Sequence, residues 1–359
     1  VGNVQALRAL AALLVVVVHA YAVESTYLPG RPWTSLFHVF GTYGVDLFFV
    51  ISGTVIVATT APCFGTDGAA RRFLVRRVTR IYPPYWVVTA VVLAVYLVAP
   101  AVTGEHRSAR PEIIASFLAL PQPGEPLLIV GWTLTYELVF YAIFALALAF
   151  RRSALPLVTA LWLVVVALIH LAGPTENPWV RVLGSPFNLE FAFGMLIGSA
   201  VVRNAFVAPR TLFALAALAV IATFVSTARA GHEYEIVTWL RPLAVGLPMA
   251  LLVYSVLGLE RRYGLVAPRW LRAQGDASYA LYLWHVPVIG AIGLVLHRIH
   301  LHGTPARVAI VAGGYALAIL VSFLAYAYVE RPLLRLTRRY AETERTPSAT
   351  VATSSPAAG

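Results

Sequence analysis

Residues 8–20 read "RALAALLVVVVHA". Every side chain between Arg8 and His19 is Ala, Leu or Val. Such a run predicts a helix over about 4–23, long enough to cross a hydrocarbon core of about 30 Å. The rest of the chain agrees. Soluble proteins carry about 25% charged residues. This chain of 359 residues has 12%, with 59% hydrophobic. The composition therefore predicts a polytopic membrane protein. The first run is not read as a cleavable signal peptide, because it lacks a small-residue cleavage site and further spans follow at once.

Apolar runs of about 20 residues predict nine more spans, near 39–60, 83–102, 131–150, 154–172, 186–202, 211–228, 242–259, 276–296 and 307–328. The expected fold is all-α, with about ten transmembrane helices, short connectors, one longer loop at 103–130 and no internal repeat. Residues 1–333 are expected to form one transmembrane domain. The Ser/Thr/Pro/Ala-rich tail, 334–359, is expected to be a largely disordered cytoplasmic segment.

The net charge is +11, which by itself suggests nucleic acid. Its distribution argues against that. Every basic residue is Arg. With the N-terminus in the cytoplasm, the inner side holds Arg8, Arg71, Arg72, Arg76, Arg77, Arg80, Arg151, Arg152, Arg203 and Arg210. It also holds Arg261, Arg262, Arg269, Arg272, Arg331, Arg335, Arg338, Arg339 and Arg345. Only Arg31, Arg107, Arg110, Arg181, Arg229, Arg241, Arg298 and Arg307 fall outside. The positive-inside rule then predicts both termini in the cytoplasm, with the excess charge facing anionic lipid; the use of Arg alone, with abundant Ala and Val, suggests a GC-rich bacterial genome, so a bacterial inner membrane is expected. Trp33, Trp86, Trp132, Trp179 and Trp239 fall near span ends, where aromatic belts form. Cys63 is the single cysteine, so no intramolecular disulfide and no Cys/His metal framework is expected.

Ionisable residues inside spans are costly and are by default functional candidates. Arg8 and His19 are eleven positions apart, so they share one helix face, separated by roughly 16 Å. On the assumed topology, Asp46 in "GVDLFFVISG" and Glu137 in "WTLTYELVFY" fall at the depth of His19, roughly 10 Å below the outer surface. The expectation is one polar layer of His19, Asp46 and Glu137 lining a shared cavity. His285, in "SYALYLWHVP", is expected nearer mid-membrane, with Tyr279 and Tyr282 a turn away. Each has a plainer reading. A lone histidine also serves as an interhelical hydrogen-bond partner, and for His285 that reading weighs as much as a functional one. Asp46 could fix a helix end or orient His19, Glu137 could be structural, and Glu190 could cap or snorkel at an outer end. Gly41, Gly44 and Gly53 read as close helix packing.

"RRFLVRRVTRIYPPYW", 71–86, is basic and aromatic. It reads as an amphipathic interfacial connector, as an anion pocket built by Arg76, Arg77 and Arg80, or as both. Pro83 and Pro84 are expected to end it and to start the third span. A polyanion at the inner face beside an intramembrane histidine implies chemistry. No phosphate-binding G-x-x-x-x-G-K-[ST] loop is present, so a phosphoadenosine thiol carrier fits better than a nucleoside triphosphate.

Five ordered stretches carry a resemblance. "LRALAALLVVVVHA", "GVDLFFVISG", "FLVRRVTRIYPPYW", "WTLTYELVFY" and "SYALYLWHVP" together resemble the membrane-bound acyltransferase family 3 of bacterial O-acyltransferases, over nearly the whole hydrophobic chain. The resemblance implies transfer of an acyl group, usually acetyl from acetyl-CoA or another acyl-CoA, without a metal. The acceptor is a hydroxyl of a carbohydrate or glycoconjugate, or of a macrolide or other natural product. It implies that His19 is the catalytic histidine, that Glu137 is the family's span acid and that Arg8, Arg77 and Arg80 handle the donor. The depth and charge pattern of the residues add Asp46 as a companion of His19 and Arg76 to the donor site. His285, Tyr282, Trp132 and Tyr136 would line the acceptor site or cavity. Two departures stand out. Gln5-Ala6 occupies the place of the family's Asp-Gly, and a stand-alone form is expected, without a C-terminal SGNH-type esterase domain. His19 as general base and His19 as transient acyl carrier both remain open. A proton-coupled transporter is the rival class, since His, Asp and Glu in spans also build proton relays.

Overall fold

The computed structural model describes residues 2–98, 110–230 and 239–336. Among them, ten helices are long and apolar enough to cross a membrane. They are α1 (Gly2–Tyr27), α2 (His38–Cys63), α3 (Ala69–Val98), α4 (Gly131–Leu148), α5 (Arg152–Leu171), α6 (Pro178–Arg203), α7 (Pro209–Arg229), α8 (Pro242–Tyr263), α9 (Ser278–Arg298) and α10 (Gly303–Leu336). Each expected span has its helix. The expected end of the third span at 102 and the tail beyond 336 lie outside the described residues.

α2 is the centre of the bundle, and glycine is the reason. A Cβ on Gly44 would stand 2.4 Å from the Ala11 carbonyl oxygen, and one on Gly53 would stand 2.3 Å from that of Phe191. Only hydrogen fits there, so α1 closes on one side of α2 and α6 on the other. Lipid offers no hydrophobic drive between helices, and this close contact supplies dispersion in its place. The two most enclosed helices are α2 and α6, while α5 and α7 turn most of their apolar surface outward. α1 also packs on α9 and on a short helix, Arg269–Asp276.

The stretch 71–86 departs from expectation. It is not a connector that stops at Pro83-Pro84. It is the first half of α3, which continues through both prolines. Their rings remove the donors for the carbonyls one turn back, yet the helix persists because its aromatic face is anchored. Tyr82 Oη donates to the Leu118 carbonyl at 2.7 Å, and Trp86 Nε1 to that of Phe117 at 2.9 Å. Tyr85 Oη donates to the Ser116 carbonyl. These three carbonyls end a short helix, Ile113–Leu118. A helix C-terminus leaves its last carbonyls without intrahelical donors. "YPPYW" supplies those donors and draws part of the expected 103–130 loop back against α3.

Candidate functional site

The depth relation expected among His19, Asp46 and Glu137 does not hold. Gly41 meets Leu14 and Val18, and Gly44 meets Ala11 and Leu14, so α2 descends along α1 in that register. Asp46 therefore stands beside the middle of α1, well below His19. Its true partner is Arg241. Arg241 Nε and Nη2 donate to the two Asp46 oxygens at 2.9 and 2.6 Å, and Nη2 also reaches the Thr42 carbonyl at 3.3 Å. Asp46 is fully buried and Arg241 is 9% exposed. Glu190 lies against the pair, also fully buried, where a capping or snorkelling role at an outer end was expected. Arg241 immediately precedes a π-helical turn, Pro242–Gly246, which aims its side chain into the bundle. Arg307, also assigned to an outer connector, is buried and donates to Glu24 at 3.2 Å. Two of the arginines counted as external charge are thus internal ion pairs.

Glu137 faces the opposite flank of α2. Ser52 Oγ donates to its Oε1 at 2.9 Å, and Tyr141 Oη donates to the same oxygen. Residues 133, 137 and 141 recur every four positions, so one face of α4 presents Thr133, Glu137 and Tyr141. That face lines a cavity of about 240 Å³. Its walls include Arg8 and Gln5 from α1, Ser52 and Phe48 from α2, Arg77 and Arg80 from α3, and Tyr279 and Tyr282 from α9. Arg8, Arg77 and Arg80 are thereby brought together as the sequence suggested, and Glu137 stands with them instead of in the layer expected with His19. Three cations face one carboxylate, so the cavity favours an anion.

Of the four arginines expected to handle the donor, three line this cavity. Arg77 lies over the rings of Phe73 and Tyr141, 5.3 and 5.5 Å from their centroids, a geometry suited to a planar cation. Arg8 donates to Gln5 Oε1 at 3.3 Å. The position that lacks the family's acid thus still offers Arg8 an acceptor, neutral in place of charged. Arg76 is the exception. It is exposed, bonds the Arg72 carbonyl at 3.1 Å and is not part of the cavity wall. One residue of α3 turns a side chain by about 100°, which separates Arg76 from Arg77. Glu330 was not anticipated. It ends a π-helical turn in α10, is 3% exposed and lies within electrostatic reach of Arg8 and Arg80.

His19 and His285 meet each other. His285 Nε2 is 3.0 Å from His19 Nδ1, with ring centroids 4.7 Å apart at an interplanar angle of 74°. His285, expected nearer mid-membrane, stands at the depth of His19. It is fully buried, whereas His19 is partly exposed. Tyr282 connects this pair to the cavity. Its ring is 6.0 Å from that of His285 and 5.6 Å from that of Phe48. Its hydroxyl is 2.6 Å from Thr133 Oγ1 and donates to the Val130 carbonyl at 3.0 Å.

Trp132 and Tyr136 belong elsewhere. They project from the other face of α4 into a second cleft, about 950 Å³, toward the end of the bundle away from the N-terminus. Its other walls include Gln122, Glu125, His170, Arg181 and Ser185. The Trp132 and Tyr136 rings stand nearly perpendicular with centroids 5.7 Å apart. α4 therefore separates the two spaces, one basic and narrow, the other wider and aromatic. Among the described residues, no cluster of three or more His, Cys, Asp or Glu side chains is placed to hold a metal ion.

A ten-helix membrane bundle holding an intramembrane histidine pair above an arginine-lined cavity invites comparison with known membrane enzymes. The family described as "Acyltransferase domain" matches residues 1–327, and the chain belongs to it. It is 33% identical over 314 residues to the exopolysaccharide production protein ExoZ of Rhizobium meliloti, covering 82% of this chain and 90% of that one. It is 26% identical over 332 residues to the Bacillus subtilis protein provisionally named peptidoglycan O-acetyltransferase YrhL, covering 82% of this chain and 50% of that one. No solved structure matches the chain.

Proposed function

We propose that this protein transfers an acyl group, acetyl in the first instance, from cytoplasmic acyl-CoA to a carbohydrate hydroxyl in the bacterial inner membrane. The observation that carries the reading is the cavity lined by Arg8, Arg77 and Arg80 and by Tyr282, whose ring stands 6.0 Å from that of His285 in the histidine pair. A volume of about 240 Å³ suits a thin phosphopantetheine arm and leaves the adenosine outside. The guanidinium groups would hold donor phosphates. Arg8 and His19 share a helix face at roughly 16 Å, a span an extended pantetheine covers.

His19 is the reacting base in this reading. It takes the proton of the acceptor hydroxyl as that oxygen attacks the thioester carbonyl carbon. The carbon–sulfur bond then breaks, and the proton passes to the leaving thiolate of CoA. Glu137, fixed by Ser52 and Tyr141, sits with the arginines and not with His19. Its part is therefore electrostatic balance of the donor site. Asp46, held by Arg241, is structural. The aromatic cleft of Trp132 and Tyr136 is where a sugar would stack before reaction. The names of ExoZ and YrhL, which refer to exopolysaccharide and peptidoglycan, support a glycan acceptor over a macrolide.

The test uses the full chain in proteoliposomes, given labelled acetyl-CoA and a panel of oligosaccharide and macrolide acceptors. Base-labile label on a sugar, formed without any ion gradient, is the expected result. Label confined to macrolides would overturn the acceptor. Acetyl-CoA left intact with every acceptor, while a proton gradient drives solute movement, would favour the transporter class.

A further inference from the structure

Two helix carbonyls determine where the protons of the histidine pair reside. His285 Nδ1 is 3.0 Å from the Leu281 carbonyl oxygen, and His19 Nδ1 is 3.1 Å from that of Val15. A carbonyl only accepts, so each Nδ1 must carry a hydrogen. Neutral His285 then presents a bare lone pair at Nε2. That atom lies 3.0 Å from His19 Nδ1 and receives a share of its hydrogen. The proton order runs from His19 Nδ1–H to His285 Nε2, and from His285 Nδ1–H to Leu281. One atom is left over. His19 Nε2 must be unprotonated, and it makes no hydrogen bond to any described residue.

We infer that His285 is a positioning residue that fixes the Nδ1–H tautomer of His19 and so exposes its Nε2 lone pair for reaction. The inference rests on the reading of His19 as the base. It assigns to a buried neutral imidazole the task that a carboxylate performs in hydrolase triads. When His19 takes the hydroxyl proton at Nε2, its ring becomes cationic and its Nδ1–H becomes a stronger donor. His285 Nε2 accepts that stronger bond, and the Leu281 carbonyl supports His285 from behind. The proton itself stays on His19 until the thiolate collects it. A neutral partner also explains the placement of the carboxylates. Asp46 is engaged by Arg241 and Glu137 by Ser52 and Tyr141. The Tyr282 ring stands 6.0 Å from that of His285. No carboxylate is needed beside His19, and the pair remains uncharged at rest inside the bundle.

Three variants in proteoliposomes separate the possibilities, each with its unfolding midpoint measured. His19→Ala tests the underlying reading. His285→Phe keeps a ring and removes the acceptor. His285→Gln restores an acceptor close to the place of Nε2. With His19→Ala inactive, we expect His285→Phe to lower kcat by about a hundredfold at unchanged KM for acetyl-CoA. His285→Gln should recover at least tenfold of that loss. A folded His285→Phe protein with the parent kcat would overturn the inference, as would Gln and Phe variants that fold like the parent and fall alike. An active His19→Ala protein would instead overturn the function on which it rests.

Discussion

Asp46→Asn is the substitution that separates what the structure implies from what sequence spacing suggested. As a companion of His19, Asp46 would matter to turnover. Paired with Arg241, it matters to the fold. The carboxylate is fully buried and accepts bonds of 2.9 and 2.6 Å from a guanidinium that is itself 9% exposed. Breaking a buried pair from one side costs about 3–5 kcal/mol, because the remaining charge has lost its partner. Here Glu190 is a second acid buried against the same pair, and it remains beside the guanidinium to partner it once Asp46 is replaced. The single substitution should therefore cost about 3 kcal/mol, the lower end of that range, and Asp46→Asn with Glu190→Gln about 5 kcal/mol. A loss of about 3 kcal/mol reduces the folded-to-unfolded ratio by about a hundredfold. The assay is denaturant unfolding in mixed micelles, followed by acetyl transfer per folded molecule. We expect a lower midpoint for the single variant, a further drop for the double, and turnover within twofold of the parent. An unchanged midpoint together with a tenfold or greater loss of turnover would refute the structural assignment of Asp46.

Three further outcomes follow from the same geometry. Arg77→Ala and Arg80→Ala should each raise KM for acetyl-CoA about tenfold or more through loss of a charge-assisted contact, while exposed Arg76→Ala leaves it unchanged; equal effects at all three would deny the cavity its selectivity. Gly44→Leu places a side chain where a Cβ is already 2.4 Å from the Ala11 carbonyl, and should destabilise the α1–α2 contact by about 1–3 kcal/mol, read as a lower unfolding midpoint. Tyr85→Phe removes the buried donor to the Ser116 carbonyl and should cost about 1–3 kcal/mol, with faster amide exchange over 113–118; parent-like exchange there would show that the short helix is held by other means.

The spans were legible because lipid allows few solutions. A stretch of about 20 apolar residues in a chain with 12% charge has little choice but to be a helix. The register of α1 on α2 was legible in part, since Gly41 and Gly44 mark close approach there, as Gly53 does against α6. The ion pairs were not. Arg241 stands in sequence just before the eighth expected span and counts as external charge until a π-helical turn directs it to Asp46. Depth estimated from helix rise also failed for Asp46 and Glu137. It assumes that every span begins at the same plane, whereas α1 starts at Gly2, only six residues before Arg8, and α2 meets it in a register set by the glycines. The contact between His19 and His285 joins helices more than 250 positions apart in sequence, and no local pattern encodes such a pairing. The arginine face of α3 was legible as chemistry but not as shape. The two prolines read as a stop, and the donors that keep the helix intact lie on the side chains of Tyr82, Tyr85 and Trp86.

The central claim is that His19 carries the reaction, and one measurement addresses it most directly. Parent protein and His19→Ala, reconstituted in proteoliposomes and shown to share an unfolding midpoint, are mixed with labelled acetyl-CoA and an oligosaccharide for a single turnover. We predict ester-linked label on the sugar with the parent, and at least a hundredfold slower appearance with His19→Ala. Transfer by folded His19→Ala at the parent rate would contradict the claim.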